Sequence, residues 1–331
     1  MDPQLTDIQP GGGVVKELEL AWGAVRRWYL RTFRKGYVAR MQALRHGDQN
    51  RCPHDVLDPR DLKYYRNQNG YWWDEKDDPF RWRDRLPFAR AGLAELVLLG
   101  GLSFALAAWA GAVASTASGL MAAILWPVCG TLTGVGLLIV WFFRDPRREI
   151  PREPGQVVAP ADGKVVSIER IDENQFVGGP AVVIGIFLSI FNVHINRTPT
   201  ACRVIGLRYR RGKFLNALRP ESARENEQLA VRLEENEPPY RRMIVRQIAG
   251  AVARRIVCWV KPGDVLARGE PFGLIKLGSR TELVLPDEPG LRICVRAGDA
   301  VRAGQSVLAV YEKTDESVAS DRESENGQGR A

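Results

Sequence analysis

The sequence predicts a chain of three parts: an N-terminal helical region, a two-helix transmembrane hairpin and a mainly β C-terminal domain. Two observations carry most of this. Ala91 to Phe143 holds two apolar stretches joined by the uncharged small-residue link Ala114–Ser118, and from Gly155 onward short Val/Ile runs alternate with Gly, Pro and Asp. A third is a basic amphipathic pattern near the start, which predicts a helix. The expected divisions are an N-terminal extension over 1–90, the hairpin over 91–143, the β domain over 144–312 and a polar, disordered tail over 313–331.

In the N-terminal region Leu18, Trp22, Val25, Tyr29 and Phe33 recur at three- and four-residue steps, with Arg27, Arg31 and Arg34 opposite. Such a helix suits an anionic membrane surface, or else packs its apolar stripe on another part of the protein. Tyr64 to Arg85, dense in aromatics and charges, reads as an interfacial connector.

Ala91–Val113 and Gly119–Phe143 each exceed the roughly 20 residues needed to cross a hydrocarbon core. Glu95 is the one charge in either, about one turn from the start of the first stretch, where it is expected to reach the interface. Arg81, Arg83, Arg85 and Arg90 precede the hairpin and Arg144, Arg147, Arg148 and Arg152 follow it, so the positive-inside bias puts both flanks on the cytoplasmic side of an inner membrane.

The 331 residues are 45% hydrophobic and 26% charged, which excludes disorder of the whole chain. A net charge of +8 calls for an anionic partner. The hairpin selects a membrane lipid surface over nucleic acid. Cys52, Cys129, Cys202, Cys258 and Cys294 form no CxxC, so neither a zinc site nor a disulfide framework is predicted and the thiols are expected buried and inert. Met1–Gly13 lacks a basic segment followed by an apolar run, so secretion as a soluble protein is not expected.

In the C-terminal domain the expected strands are 157–158, 165–168, 181–188, 202–209, 243–248, 255–260 and 281–285. A repeat links Gly263-Asp264-Val265-Leu266-Ala267-Arg268-Gly269 to Gly298-Asp299-Ala300-Val301-Arg302-Ala303-Gly304. Glycine supplies positive φ and aspartate a local hydrogen bond in turns of this kind. They are similar to the turns of biotinyl and lipoyl carrier sandwiches, which makes the expected architecture a barrel-sandwich.

Three residues stand out for chemistry: Asp162 in Ala159-Pro160-Ala161-Asp162-Gly163-Lys164-Val165, His194 in Phe191-Asn192-Val193-His194-Ile195-Asn196-Arg197, and Ser279 in Leu277-Gly278-Ser279-Arg280. Singly each has a bland reading. Asp-Gly and Gly-Ser are ordinary turn pairs, and a lone histidine can be a satisfied core residue. Lys164 and Arg197 near them read as solvated surface charges.

These segments, taken with Trp141-Phe142-Phe143-Arg144-Asp145-Pro146, Gly212-Lys213-Phe214-Leu215-Asn216-Ala217, Glu225-Asn226-Glu227, Gln247-Ile248-Ala249-Gly250 and Gly273–Arg280, form an ordered series. The chain from Trp141 to Tyr311 resembles the phosphatidylserine decarboxylase family, specifically its short bacterial and archaeal branch. The resemblance implies a proenzyme that cleaves itself between Gly278 and Ser279. Ser279 then becomes a covalent pyruvoyl group that forms a Schiff base with phosphatidylserine and releases CO₂. It further implies that His194 acts as base, with Asp162 fixing its tautomer, that the products 1–278 and 279–331 stay associated, and that a homo-oligomer is compatible.

A membrane-tethered, carrier-like binding module without covalent chemistry is the competing reading. Such carriers present a lysine beside methionine at a hairpin tip, and no Met-Lys pair occurs here. A serine hydrolase is a second, but Leu277-Gly278-Ser279-Arg280-Thr281 lacks the closing glycine of a nucleophile elbow.

Overall fold

The computed structural model describes residues 13–43, 78–251, 255–276 and 278–312. The expected tail over 313–331 and most of the 64–85 connector lie outside them, as does Cys52.

Helix α1 (Gly13–Phe33) is followed by α2 (Lys35–Ala43). The face of α1 turned to the protein is not the expected stripe. Glu19, Gly23, Arg26 and Leu30 are buried, whereas Val25, Tyr29 and Phe33 are 53%, 40% and 63% exposed. A mixed polar face docks because the domain beneath offers buried cations and an aromatic: Arg255 and Lys276 receive Glu19, and Arg26 lies over the Phe80 ring.

The hairpin consists of α3 (Arg90–Thr116) and α4 (Gly119–Phe142), both long and apolar enough to cross a membrane, with most of their surface facing outward. Ala107, Ala110 and Ala114 are buried along α3, and Gly136 on α4 sits under Phe104, so small residues let the helices approach. At the base, a side chain on Gly92 would overlap the Phe143 ring. Glu95 corrects one expectation: it is 3% exposed and turns inward to Lys276 instead of reaching the interface.

The C-terminal part is mainly β-sheet. Its strands are β1 (Gln156–Val158), β2 (Gly163–Asn174), β3 (Gly179–Leu188), β4 (Ile195–Arg197), β5 (Cys202–Arg210), β6 (Gln228–Glu235) and β7 (Arg242–Ile248). They continue with β8 (Arg255–Cys258), β9 (Val265–Leu266), β10 (Pro271–Lys276), β11 (Ser279–Pro286), β12 (Leu291–Ile293), β13 (Ala300–Val301) and β14 (Val307–Tyr311). One sheet has the order β13-β2-β3-β11-β7-β6-β5-β9, and two smaller sheets have the orders β4-β10-β8 and β1-β14-β12. Val182, Ile184, Ile186, Leu229, Val231, Leu233, Leu283 and Leu285 supply the alternate inward positions of the main core.

The repeated turns are related in detail. Gly263 and Gly298 have φ of 98° and 105°. The Asp264 and Asp299 carboxylates accept from Lys261 N at 3.0 Å and Arg296 N at 2.8 Å. Their following strands pair with β5 and β2 respectively, so the two units flank the eight-stranded sheet at opposite edges. Gly269 and Gly304 both pack against Ile150.

Cys202 and Cys258 are fully buried, and burial pushes both thiols up to about 12. Cys294 departs from the expectation of burial and is exposed. Arg197 is not a solvated charge either: it is 8% exposed and donates to Asp145 at 2.7 Å and to the Gly269 carbonyl at 3.0 Å.

Candidate active site

Gly278 lies where the chain leaves the small sheet at the end of β10 and enters the large one at Ser279, the first residue of β11. Its φ of 64° is left-handed, a conformation open to glycine at little cost. The strands next to β11 bring the surrounding residues in. Ser279 is opposite Leu188 at the end of β3, and the loop that follows carries His194. Arg280 is opposite Ile248 at the end of β7, and Ala249-Gly250 follows. β10 pairs with β4, and Ile275 N donates to the His194 carbonyl at 3.2 Å, so the histidine is held from both sheets.

His194 is fully buried. Its Nε2 accepts from the Gly278 amide at 3.2 Å, and its Nδ1 lies 2.9 Å from the Asn192 carbonyl. A carbonyl only accepts, so Nδ1 carries the proton and Nε2 presents a lone pair. Burial lowers the imidazole to about 4; the Asn192 carbonyl opposes the shift and the nearby Arg144 cation adds to it. His194 is therefore a neutral imidazole at neutral pH, with its basic nitrogen turned to Gly278.

Ser279 is also fully buried, and its Oγ has no hydrogen-bond partner. A buried hydroxyl left unsatisfied costs about 1–3 kcal/mol, and such groups concentrate where chemistry uses them. Arg280 is anchored away from the site, donating to Ser167 Oγ at 2.8 Å and Glu282 at 3.0 Å.

Asp162 does not contact His194. Its carboxylate accepts two bonds from Arg148, at 2.8 and 2.9 Å, and one from Ala303 N at 2.8 Å. The expected tautomer-fixing contact is made by the Asn192 carbonyl instead, because the 189–194 loop folds that carbonyl onto Nδ1. Asp162 ties the segment after α4 to the second Gly-Asp repeat.

Further neighbours emerge only in three dimensions. Phe142, the last residue of α4, stacks on the His194 ring with centroids 4.4 Å apart. Trp141 and Arg144 donate to the Phe191 carbonyl at 3.1 and 3.0 Å, fastening the histidine loop to the hairpin. On the other side, a Cβ on Gly250 would overlap the Gly278 carbonyl oxygen, so that oxygen rests on bare backbone. Asn226 holds this wall, bonding Leu215 N and O and donating to the Ala249 carbonyl at 2.7 Å. Gly250 and Asn226 stand in the sequence as members of short motifs, without a visible role until the sheets bring them to Gly278.

A buried nucleophile without a partner, a neutral base and a carbonyl on a glycine corner can carry out an acyl shift at one peptide bond. A pyruvoyl group, the covalent group that the resemblance implies, would be made from residue 279 itself, and the unpartnered Ser279 Oγ beside the Gly278 corner is the observation that fits it.

Comparison with known proteins gives the family. A family model described as phosphatidylserine decarboxylase matches residues 135–309, which include Asp162, His194 and Ser279. The phosphatidylserine decarboxylase proenzyme of Rhodopirellula baltica is 51% identical over 252 residues, covering 76% of this chain and 100% of the relative. The proenzyme of Symbiobacterium thermophilum is 46% identical over 183 residues, 55% of this chain and 83% of the relative. That of Desulfotalea psychrophila is 42% identical over 184 residues, 54% and 84%. With one relative covered along its whole length and the family model spanning the entire site, the chain belongs to the phosphatidylserine decarboxylase family.

Proposed function

We propose that this protein is a phosphatidylserine decarboxylase that forms phosphatidylethanolamine and CO₂ with a pyruvoyl group made from its own Ser279. The observation that carries the reading is the pairing of an unpartnered, buried Ser279 Oγ with a neutral His194 whose lone pair faces Gly278.

In maturation, His194 Nε2 takes the Ser279 hydroxyl proton as Oγ adds to the Gly278 carbonyl carbon. The Gly278–Ser279 C–N bond breaks, the Ser279 nitrogen takes a proton, and an ester joins Gly278 to Ser279 Oγ. Loss of the Ser279 Cα proton expels Gly278 as a carboxylate and leaves dehydroalanine at 279. One water converts it to a pyruvoyl group and ammonia. Asp162 acts as a positioning residue, holding Arg148 and thus the segment that carries Arg144 and Phe142 to His194.

In turnover the pyruvoyl carbonyl supplies the electron sink for the bond that releases CO₂. Neutral His194 accepts the proton that the substrate ammonium sheds and returns it to the α-carbon, a step worth ~10² to 10⁴ in rate.

The hairpin spans an inner membrane with both flanks, and the β domain, on the cytoplasmic side. Stacking of Phe142 on His194 then keeps the site at the membrane surface, where a diacyl lipid need not leave the bilayer. The exposed Val25, Trp28, Tyr29 and Phe33 beside Arg27, Arg31 and Arg34 suit the same lipid surface. Chains 1–278 and 279–331 remain joined because β11 is bonded on both sides, to β3 and β7. The paired Gly-Asp turns support a barrel-sandwich within a domain of 144–312, after an extension over 1–90 and a hairpin over 91–143.

The test is conversion of phosphatidylserine in vesicles by the purified protein. Phosphatidylethanolamine formed by the wild-type chain and not by Ser279→Ala supports the reading. Hydrolysis of the lipid without loss of CO₂ contradicts it.

A further inference from the structure

The N-terminal extension holds one end of a buried ionic cluster next to the proposed cleavage site. Glu19 on α1 accepts from Arg255 Nη2 at 2.9 Å and Nε at 3.2 Å, and from the Lys276 ammonium, which donates also to Glu95 at the start of α3. None of the four side chains is more than 4% exposed. These two carboxylates balance these two cations in charge.

Arg255 and Lys276 sit opposite each other in the β8–β10 register, so the end of this small sheet buries two adjacent cations. Both lie within the residues matched by the family model, 135–309, whereas Glu19 and Glu95 lie outside it. Buried charges left without counterions are strongly unfavourable. The β domain thus carries two cations that the extension and the hairpin neutralise. Lys276 is the last residue of β10, two positions before Gly278.

We propose that Glu19, together with Glu95, is a positioning residue for maturation: α1 clamps Lys276, fixes the end of β10 and holds the Gly278 carbonyl within reach of Ser279 Oγ. This rests on the reading of Gly278–Ser279 as the cleavage site. Cleavage is thereby coupled to assembly, because the clamp closes only when α1 and the first hairpin helix are both seated on the domain. Once the bond is cut, Lys276 and residue 279 belong to different chains, and residue 279 is held by β3 and β7 without the clamp. The clamp therefore acts on maturation and not on turnover.

The experiment is synthesis of the full chain in the presence of phosphatidylcholine–phosphatidylglycerol vesicles, following the products by intact mass. Three variants are compared with wild type: Glu19→Gln; Glu17→Gln, which makes the same charge change at an exposed α1 position; and Glu19→Gln with Lys276→Met, which keeps these carboxylates and cations in balance. Cleavage after Gly278 is expected to slow at least about tenfold in Glu19→Gln and in the double variant, and not in Glu17→Gln. Material that has completed cleavage is expected to keep kcat per pyruvoyl group and KM within about twofold of wild type. Wild-type cleavage rates in Glu19→Gln overturn the inference, as does restoration of the rate in the charge-balanced double variant. A parallel fall of maturation, kcat and melting temperature also overturns it, since that is loss of general stability. A wild-type chain that is not cut after Gly278 overturns the cleavage-site reading itself and is recognised before any variant is compared.

Discussion

The Gly278 amide donates to His194 Nε2 at 3.2 Å, so the proposed base is bonded to the residue whose carbonyl it helps to open. With Nδ1 engaged by the Asn192 carbonyl, the ring has one orientation and one tautomer. His194→Ala is expected to slow maturation by at least about 10², the usual scale for losing a positioned acid–base group. The uncut fraction is read on a denaturing gel; full cleavage of His194→Ala would remove the histidine from the mechanism.

Burial lowers His194 to about 4, and the proposed maturation requires its neutral form. The cleavage rate is expected to be flat from pH 8 down to about 5 and to fall below that with an apparent pKa near 4, well under the ordinary histidine value of about 6.5. Stability follows the same group. Between pH 6.5 and 4 the unfolded chain binds the proton that the folded chain refuses, so stability drops as pH falls through that window, by roughly 3 kcal/mol in all. Denaturation midpoints of wild type and His194→Gln across this range should converge at low pH; parallel curves contradict the assignment.

In the proposed mechanism Asp162 acts through Arg148, with which it is paired at 2.8 Å. Arg148→Met is therefore expected to impair maturation as much as Asp162→Ala, and each to destabilise by about 3–5 kcal/mol, the scale for leaving one partner of a buried pair alone. Should Arg148→Met mature normally while Asp162→Ala does not, Asp162 serves the histidine by another route.

Gly250→Ala puts a methyl into the space of the Gly278 carbonyl oxygen. A displacement of about 1 Å at a reacting centre costs on the order of 10² in rate, whereas overpacking costs about 1–3 kcal/mol in stability. The variant is expected to fold and stay largely uncut, as a time course of intact mass would show. Unimpaired cleavage would mean that the carbonyl has room to move.

The exposed stripe on α1 is expected to face lipid. A nitroxide at Phe33→Cys, in a Cys294→Ser background reconstituted in vesicles, should be relaxed by oxygen more than by a water-soluble nickel chelate, and the reverse at Arg31→Cys. Equal response to the chelate at both positions would leave the stripe in water.

Much of this was legible one segment at a time. The hairpin needed only length and hydropathy, and β3, β7 and β11 needed only runs of β-branched residues. β6 escaped because Gln228–Glu235 mixes Ala, Leu, Arg and Glu, which favour helices in isolation, although Leu229, Val231 and Leu233 alternate inward. β10 escaped because it opens on Pro271, contains Gly273 and is buried on both faces, so it has no alternation to read.

The site was legible as motifs and not as contacts. Ser279 and His194 come together because β3 and β11 are neighbours. Local position suggested an interfacial Glu95, but its partner Lys276 is 181 residues away, and the buried cation outweighs access to water. The α1 stripe is legible as apolar, but the sequence leaves open whether it faces a membrane or the protein, because the ionic pocket that receives Glu19 on the other face is formed by strands more than 200 residues downstream.

The intact mass of the purified wild-type chain tests the central claim most directly. Self-cleavage predicts two species, residues 1–278 and residues 279–331, the smaller lighter by the mass of one ammonia than a chain beginning with an intact Ser279, and open to reduction by borohydride at its first residue. A single species of full-length mass after incubation with lipid would contradict it.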